Sequence, residues 1–245
     1  MNADPEAQSR LLDLQSIDTS LAQIAHRRRN LPELAELDRL ARELSALEDE
    51  RVRIQVAVDD IDRDIARLER DIEQVRARAD KDRARLDVGT GPVRELEALQ
   101  HELTTLARRQ SELEDAELEL MEQREQVQAG LDGVVARLDT ARATRLETEA
   151  RRDVALAGLD GDRDQKTSSR APLVAAIPAE LVDLYEKIRG STGVGAALLR
   201  AGRCEGCRLE LSGSERSRVK SAAPDQVIRC DECRRILVRT AESGL

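Results

Sequence analysis

The feature that most constrains this chain is an apolar row with alternating three- and four-residue spacing. It runs through Leu37, Leu40, Leu44, Leu47, Arg51, Ile54, Val58, Ile61, Ile65, Leu68, Ile72, Val75, Ala79, Asp82 and Leu86, and only Arg51 and Asp82 are polar. This heptad spacing places one apolar seam along a helix and predicts a left-handed coiled coil. The other faces carry i,i+4 pairs such as Asp38/Arg42, Asp49/Arg53 and Asp59/Arg63, typical of a solvated helix surface.

The row stops at Asp87-Val-Gly-Thr-Gly-Pro-Val93, where two glycines and a proline mark a turn over 87–93. A second seam follows, at Leu96, Leu99, Leu103, Leu106, Gln110, Leu113, Glu117, Leu120, Arg124, Val127, Leu131, Val134, Leu138 and Ala141. Two long seams joined by a short turn predict an antiparallel hairpin, with arm one over about 33–86 and arm two over about 94–160. The polar positions Arg51, Asp82, Gln110, Glu117 and Arg124 either fix register at some cost in stability, the default reading, or mark local openings where a partner docks.

Arm two is the longer, and its seam continues through Arg145, Thr148, Arg152, Ala155 and Leu159. An N-terminal helix over about 5–29, with its own row at Leu14, Ile17, Leu21, Ile24 and Leu31, supplies the partner for roughly residues 150–170. The break at Asn30-Leu31-Pro32 suits a cap followed by proline in the first turn of the next helix. Gly158, Gly161 and the polar stretch to Ala171 predict the end of the helical region, giving a coiled-coil domain over 1–170 and a C-terminal domain over 171–245. The latter opens with a short amphipathic helix over about 179–189.

Composition agrees with a mainly α fold. Of 245 residues 36% are charged, and Tyr185 is the sole aromatic side chain, too little for a large globular core. The net charge of −9 divides into −11 over residues 1–170 and +2 over 171–245, so contact with a polyanion falls to the C-terminal part. The polar start and the lack of a long apolar run point to a cytoplasmic protein outside the membrane, monomeric or homodimeric.

The C-terminal part holds Cys204-Glu-Gly-Cys207 and Cys230-Asp-Glu-Cys233. Each Cys-x-x-Cys is a knuckle that grips a metal from one side, and two knuckles complete a tetrahedral S4 shell suited to one structural Zn²⁺. A redox dithiol, a disulfide pair and an iron site are the rival readings; a thioredoxin-like motif would need a βαβ context. Apolar strand-like runs follow each knuckle at Leu209–Leu211 and Ile236–Val238, giving a small α+β zinc ribbon.

Arg208, Arg216, Arg218, Lys220, Arg234 and Arg235 are the candidate contact residues for a partner or a nucleic acid. The competing reading is that those flanking the knuckles offset the −2 charge of a zinc tetrathiolate. Without aromatics the ribbon offers no stacking platform for single-stranded bases. His26 and His101 stand apart on the coil, and there is no P-loop, dinucleotide fingerprint or nucleophile elbow. The reading is therefore a zinc-binding adaptor or regulator rather than an enzyme, with a nucleic-acid-binding regulator as the alternative.

The segments Tyr185-Glu-Lys-Ile-Arg189, Cys204-Glu-Gly-Cys207-Arg-Leu-Glu-Leu211 and Val227-Ile-Arg-Cys230-Asp-Glu-Cys233-Arg-Arg-Ile-Leu237 resemble the bacterial C4-type zinc ribbon family, also called domain of unknown function 164. The resemblance implies a coiled-coil hairpin with a terminal zinc ribbon. Some relatives act in flagellar control, binding the alternative sigma factor sigma-54 and flagellin messenger RNA. That role is not carried over, because the arginine-rich composition points to bacteria that generally lack this sigma factor.

Overall fold

Three long helices make up most of the chain: α1 (Pro5–Arg29), α2 (Pro32–Val88) and α3 (Val93–Ala175). The structure, a computed structural model, describes residues 1–244. The helices α4 (Ala179–Thr192) and α5 (Gly213–Ser221) follow, with strands β1 (Ala196–Arg200), β2 (Arg203–Cys204), β3 (Ile228–Arg229) and β4 (Ile236–Val238). The chain divides into two compact units, Ala35–Glu149 and a discontinuous one of Met1–Leu34 with Ala150–Leu245.

Within 35–149 the helices α2 and α3 form the predicted antiparallel hairpin. Every position of the two predicted rows in this unit is buried or half-buried, from Leu37 to Leu86 and from Leu96 to Ala141. Leu47, Val134, Leu138 and Ala141 form its most enclosed cluster. Register is marked by ion pairs across the arms: Arg142–Glu48 at 2.5 Å, Arg137–Glu50 at 2.9 Å, Arg124–Asp62 at 3.0 Å and Arg78–Glu102. These pairs are half-exposed, so each adds little to stability, and the seam sets the pairing. Of the polar seam residues, Gln110 bonds Glu114 on its own helix at 2.8 Å, while Asp82 is 7% exposed and its Oδ2 lacks a hydrogen-bond partner.

The helices depart from the sequence reading in three places. First, α3 does not end near 160. It runs through Gly158 and Gly161 to Ala175, with Pro172 in its last turn. A helical glycine costs only about 1 kcal/mol relative to alanine. Burial of Leu159 and the Arg28–Asp160 ion pair between α1 and α3 hold the segment helical. Second, Asn30 caps the C-terminus of α1, its side-chain amide donating to His26 O at 2.8 Å, rather than the start of α2. Third, Arg145 is exposed, and Thr148 is the fully buried position of that stretch.

A four-stranded sheet of order β2-β1-β4-β3 carries the metal-binding end, with β1 parallel to β4 and the outer pairs antiparallel. Its two faces alternate as strand geometry requires. Ala196, Ile236 and Val238 face a core built from Leu11 and Leu14 of α1 with Leu181, Tyr185 and Ile188 of α4. Ala197, Leu199 and Leu237 face the cysteines. Beneath the sheet, Gln15 Oε1 accepts from Gly195 N–H at 2.7 Å, and Gly195 lies so close to the Tyr185 ring that a Cβ would meet Cδ2 at 2.5 Å. The extreme N-terminus joins this unit too: Ala3 N–H donates to Asp225 O at 2.7 Å and Val227 N–H to Met1 O at 3.1 Å.

Candidate metal centre

The two knuckles have the same backbone trace. In the first, Cys204 N–H donates to Leu209 O at 3.0 Å and Arg208 N–H to Cys204 O at 2.7 Å. In the second, Cys230 N–H donates to Arg235 O at 3.0 Å and Arg234 N–H to Cys230 O at 2.9 Å. Each knuckle is closed by an arginine in the left-handed region, Arg208 at φ 64° and Arg234 at φ 62°. Strand entry from β1 fixes Cys204, and β4 leaves directly from the second knuckle, so the β1–β4 pairing sets the two knuckles face to face.

The four Sγ atoms lie within 4.8 Å of one another. The Cys204–Cys233 and Cys207–Cys230 edges measure 3.8 and 3.9 Å. A tetrahedron with Zn–S bonds of about 2.3 Å has an edge of roughly 3.8 Å. The residues present therefore fit the ion, and a disulfide, whose sulfurs stand about 2.05 Å apart, does not describe this geometry.

Burial and backbone N–H groups act on the thiols in opposite directions. Burial pushes the Cys204 thiol up, against the backbone N–H groups of Cys207 and Gly206 that favour its ionised form. Burial likewise pushes Cys230 up to about 11, opposed by the N–H groups of Cys233 and Glu232. At Cys233 burial raises the value, but the Arg235 N–H and the neighbouring sulfurs outweigh it and the group falls below the usual thiol range. A bound cation supplies the charge that ionises all four. The cofactor of the chain is one structural Zn²⁺. With four protein sulfurs in the shell, no coordination position is left for substrate.

The six candidate contact residues separate into two groups. Arg218 pairs with Asp231 at 2.8 Å, Arg235 donates to Gly206 O at 2.6 Å, and the guanidinium of Arg216 lies over Gly202, where a Cβ would sit 2.7 Å from Nη2. Arg208, Lys220 and Arg234 are exposed, and their side chains have no hydrogen-bond or ion-pair partner among the described residues. Sequence reasoning missed two residues of this region. Glu215, 5% exposed, accepts from Asp231 N–H at 3.0 Å. Arg239 donates to the carbonyls of Ala222, Ala223, Pro224 and Gln226 at 2.7 to 3.0 Å, gathering the loop before β3. The Ser212-x-x-Glu215 spacing signals a helix start, and Ser212 does cap α5, but nothing local shows that Glu215 turns to the second knuckle.

A helical hairpin in one unit and a closed tetrathiolate ribbon in the other define a coiled-coil zinc-ribbon protein. The chain belongs to the CT398-like coiled coil hairpin domain family, whose profile matches residues 14–193, and a C4-type zinc ribbon domain matches residues 203–237. It is 39% identical over 239 residues to an uncharacterized protein of Mycobacterium tuberculosis, covering 98% of both chains. A solved structure from Mycobacterium smegmatis is similar with TM-score 0.87 and 40% identity, over 98% of this chain and 100% of that one. CT398 from Chlamydia trachomatis shares the fold, with TM-score 0.68 at 17% identity over 96% and 98% of the two chains.

Proposed function

We propose that the chain is a cytoplasmic, non-enzymatic adaptor that binds protein partners through its coiled coil and ribbon. The carrying observation is surplus apolar surface on helices whose seam is already filled. Val52 and Val56, one turn apart on α2, are 49% and 51% exposed, and Leu118 and Met121 on α3 are 59% and 46% exposed. Helical apolar anchors of this kind are what a partner helix or groove recognises, and methionine adapts to varied partners. No helix among the described residues is long and apolar enough to cross a membrane. Exchanging Val52, Val56 and Leu118 for glutamate alters exposed positions only. The variant is expected to keep its helical signal and its zinc while losing the proteins that the native chain captures from nuclease-treated lysate. An unchanged set of captured proteins would sink the proposal.

A second reading is favoured by the three unpartnered cations Arg208, Lys220 and Arg234: a nucleic-acid-binding regulator that works through the ribbon. It expects RNA or DNA affinity with a salt slope reduced by about one for each phosphate-contacting cation removed. Absence of any mobility shift at low salt removes it.

A further inference from the structure

The tip of each knuckle is held by a charged side chain that follows the opposite knuckle in sequence. At the first knuckle, Gly206 O accepts from Arg235 Nη1 at 2.6 Å, and Arg235 comes directly after the second knuckle in the chain. Gly206 is what permits this approach, since a Cβ there would lie 2.9 Å from both Arg235 Cδ and Ala197 Cβ. The Gly206 carbonyl belongs to the same peptide unit as the Cys207 N–H that donates to the Cys204 sulfur. A guanidinium on the carbonyl polarises that unit and strengthens the bond to sulfur. At the second knuckle, the Asp231 N–H donates to Glu215 Oε1 at 3.0 Å, and Glu215 stands on α5, downstream of the first knuckle. Arg218, three residues on, pairs with the Asp231 carboxylate at 2.8 Å.

We propose that Arg235 and Glu215 are positioning residues for the metal, a crossed pair in which each knuckle's follower locks the other knuckle. Their charges are spent inside the ribbon. Arg235 acts on the peptide unit whose N–H faces the Cys204 sulfur, Glu215 holds the Asp231 N–H in the turn of the second knuckle, and together they govern how tightly zinc is retained.

The test uses the full chain loaded with zinc. Zinc transfer to a chromophoric chelator is timed, and the thiolate-to-cobalt absorption of the Co²⁺-substituted protein is recorded. Glu215→Ala and Arg235→Leu are expected to speed zinc release by about 10-fold or more and to shift the cobalt spectrum. Glu215→Gln keeps the acceptor oxygen and is expected to restore the native rate. Lys220→Gln removes an exposed cation of α5 that lies outside both knuckles and is expected to change nothing. If Arg235→Leu does not fold, Arg235→Lys replaces it. That variant keeps the charge without the planar fork and is expected to release zinc roughly threefold faster. Native release rates and spectra in Glu215→Ala and in the Arg235 variant would overturn the proposal. So would an equal acceleration in Lys220→Gln, which would show a general charge effect.

Discussion

The phenol of Tyr185 donates to Asp18 Oδ2 at 2.8 Å, joining α4 to α1 across 167 positions of sequence. The same carboxylate, 2% exposed, accepts from Arg170 Nε at 2.7 Å and lies 3.4 Å from Arg189 Nε. Burial, then the adjacent Asp18, push the Tyr185 phenol up, so it remains a donor throughout the accessible pH range. Replacing Tyr185 with Phe removes one donor to a buried carboxylate and is expected to lower stability by about 1–2 kcal/mol. Replacing Asp18 with Ala leaves Arg170 with Glu186 alone and is expected to remove about 2–3 kcal/mol, less than the usual cost of breaking a buried pair because Arg170 keeps that partner and some solvent. Chemical denaturation checks both, and native stability in the Asp18 variant would contradict this account.

Asp82 occupies a seam position of the hairpin, with its Oδ2 enclosed and without a partner. Asp82→Leu is expected to stabilise the hairpin by about 1–3 kcal/mol, because a desolvated carboxyl is exchanged for packed apolar surface. A thermal melt followed by circular dichroism should move upward. A fall would show that the carboxyl has a partner in solution.

Zinc retention should weaken with acid. Cys204 and Cys230 carry raised thiol values without metal, so binding must displace their protons. Falling pH favours the protonated, metal-free ribbon, and rising pH favours the ion. Apparent zinc affinity, measured by chelator competition, is expected to drop more than ~10-fold from pH 7 to pH 6. Stripping the metal should unfold the sheet end while the helical signal from residues 35–149, which have their own core, persists.

Gly195→Ala would place a methyl group 2.5 Å from the Tyr185 ring and 2.7 Å from the Tyr185 carbonyl oxygen. Backbone cannot yield as a flexible side chain does. A loss of about 3 kcal/mol is expected, at the upper end of overpacking costs. Chemical denaturation that matches the native protein would show that β1 shifts freely here.

The seams were legible because burial in a two-helix hairpin repeats the spacing of the sequence, and the rows from Leu37 and Leu96 need nothing distant to explain them. The cysteines were legible because metal geometry dictates their spacing. The sheet was less so: β1 gives a short, small-residue signal at Ala196–Arg200, and its parallel pairing with β4 follows from contacts 40 residues apart. The Asp18–Arg170–Tyr185 group left no trace either, since an acidic residue on a charged helix looks solvated until its distant partners close over it. Among the basic residues, sequence proximity to the cysteines could not separate Arg235, turned inward to Gly206, from Arg234, which faces water.

The discontinuous unit has a consequence for synthesis. When α1 leaves the ribosome its Leu11 and Leu14 have nothing to cover them, because α4 and the strands are still untranslated. At about 5–20 residues per second the wait for Tyr185 is on the order of 10–30 s. The hairpin over 35–149 can zip up meanwhile, as an insert within a unit that is not yet complete. The ribbon and its metal therefore mature late, when early and late segments of the nascent chain finally meet.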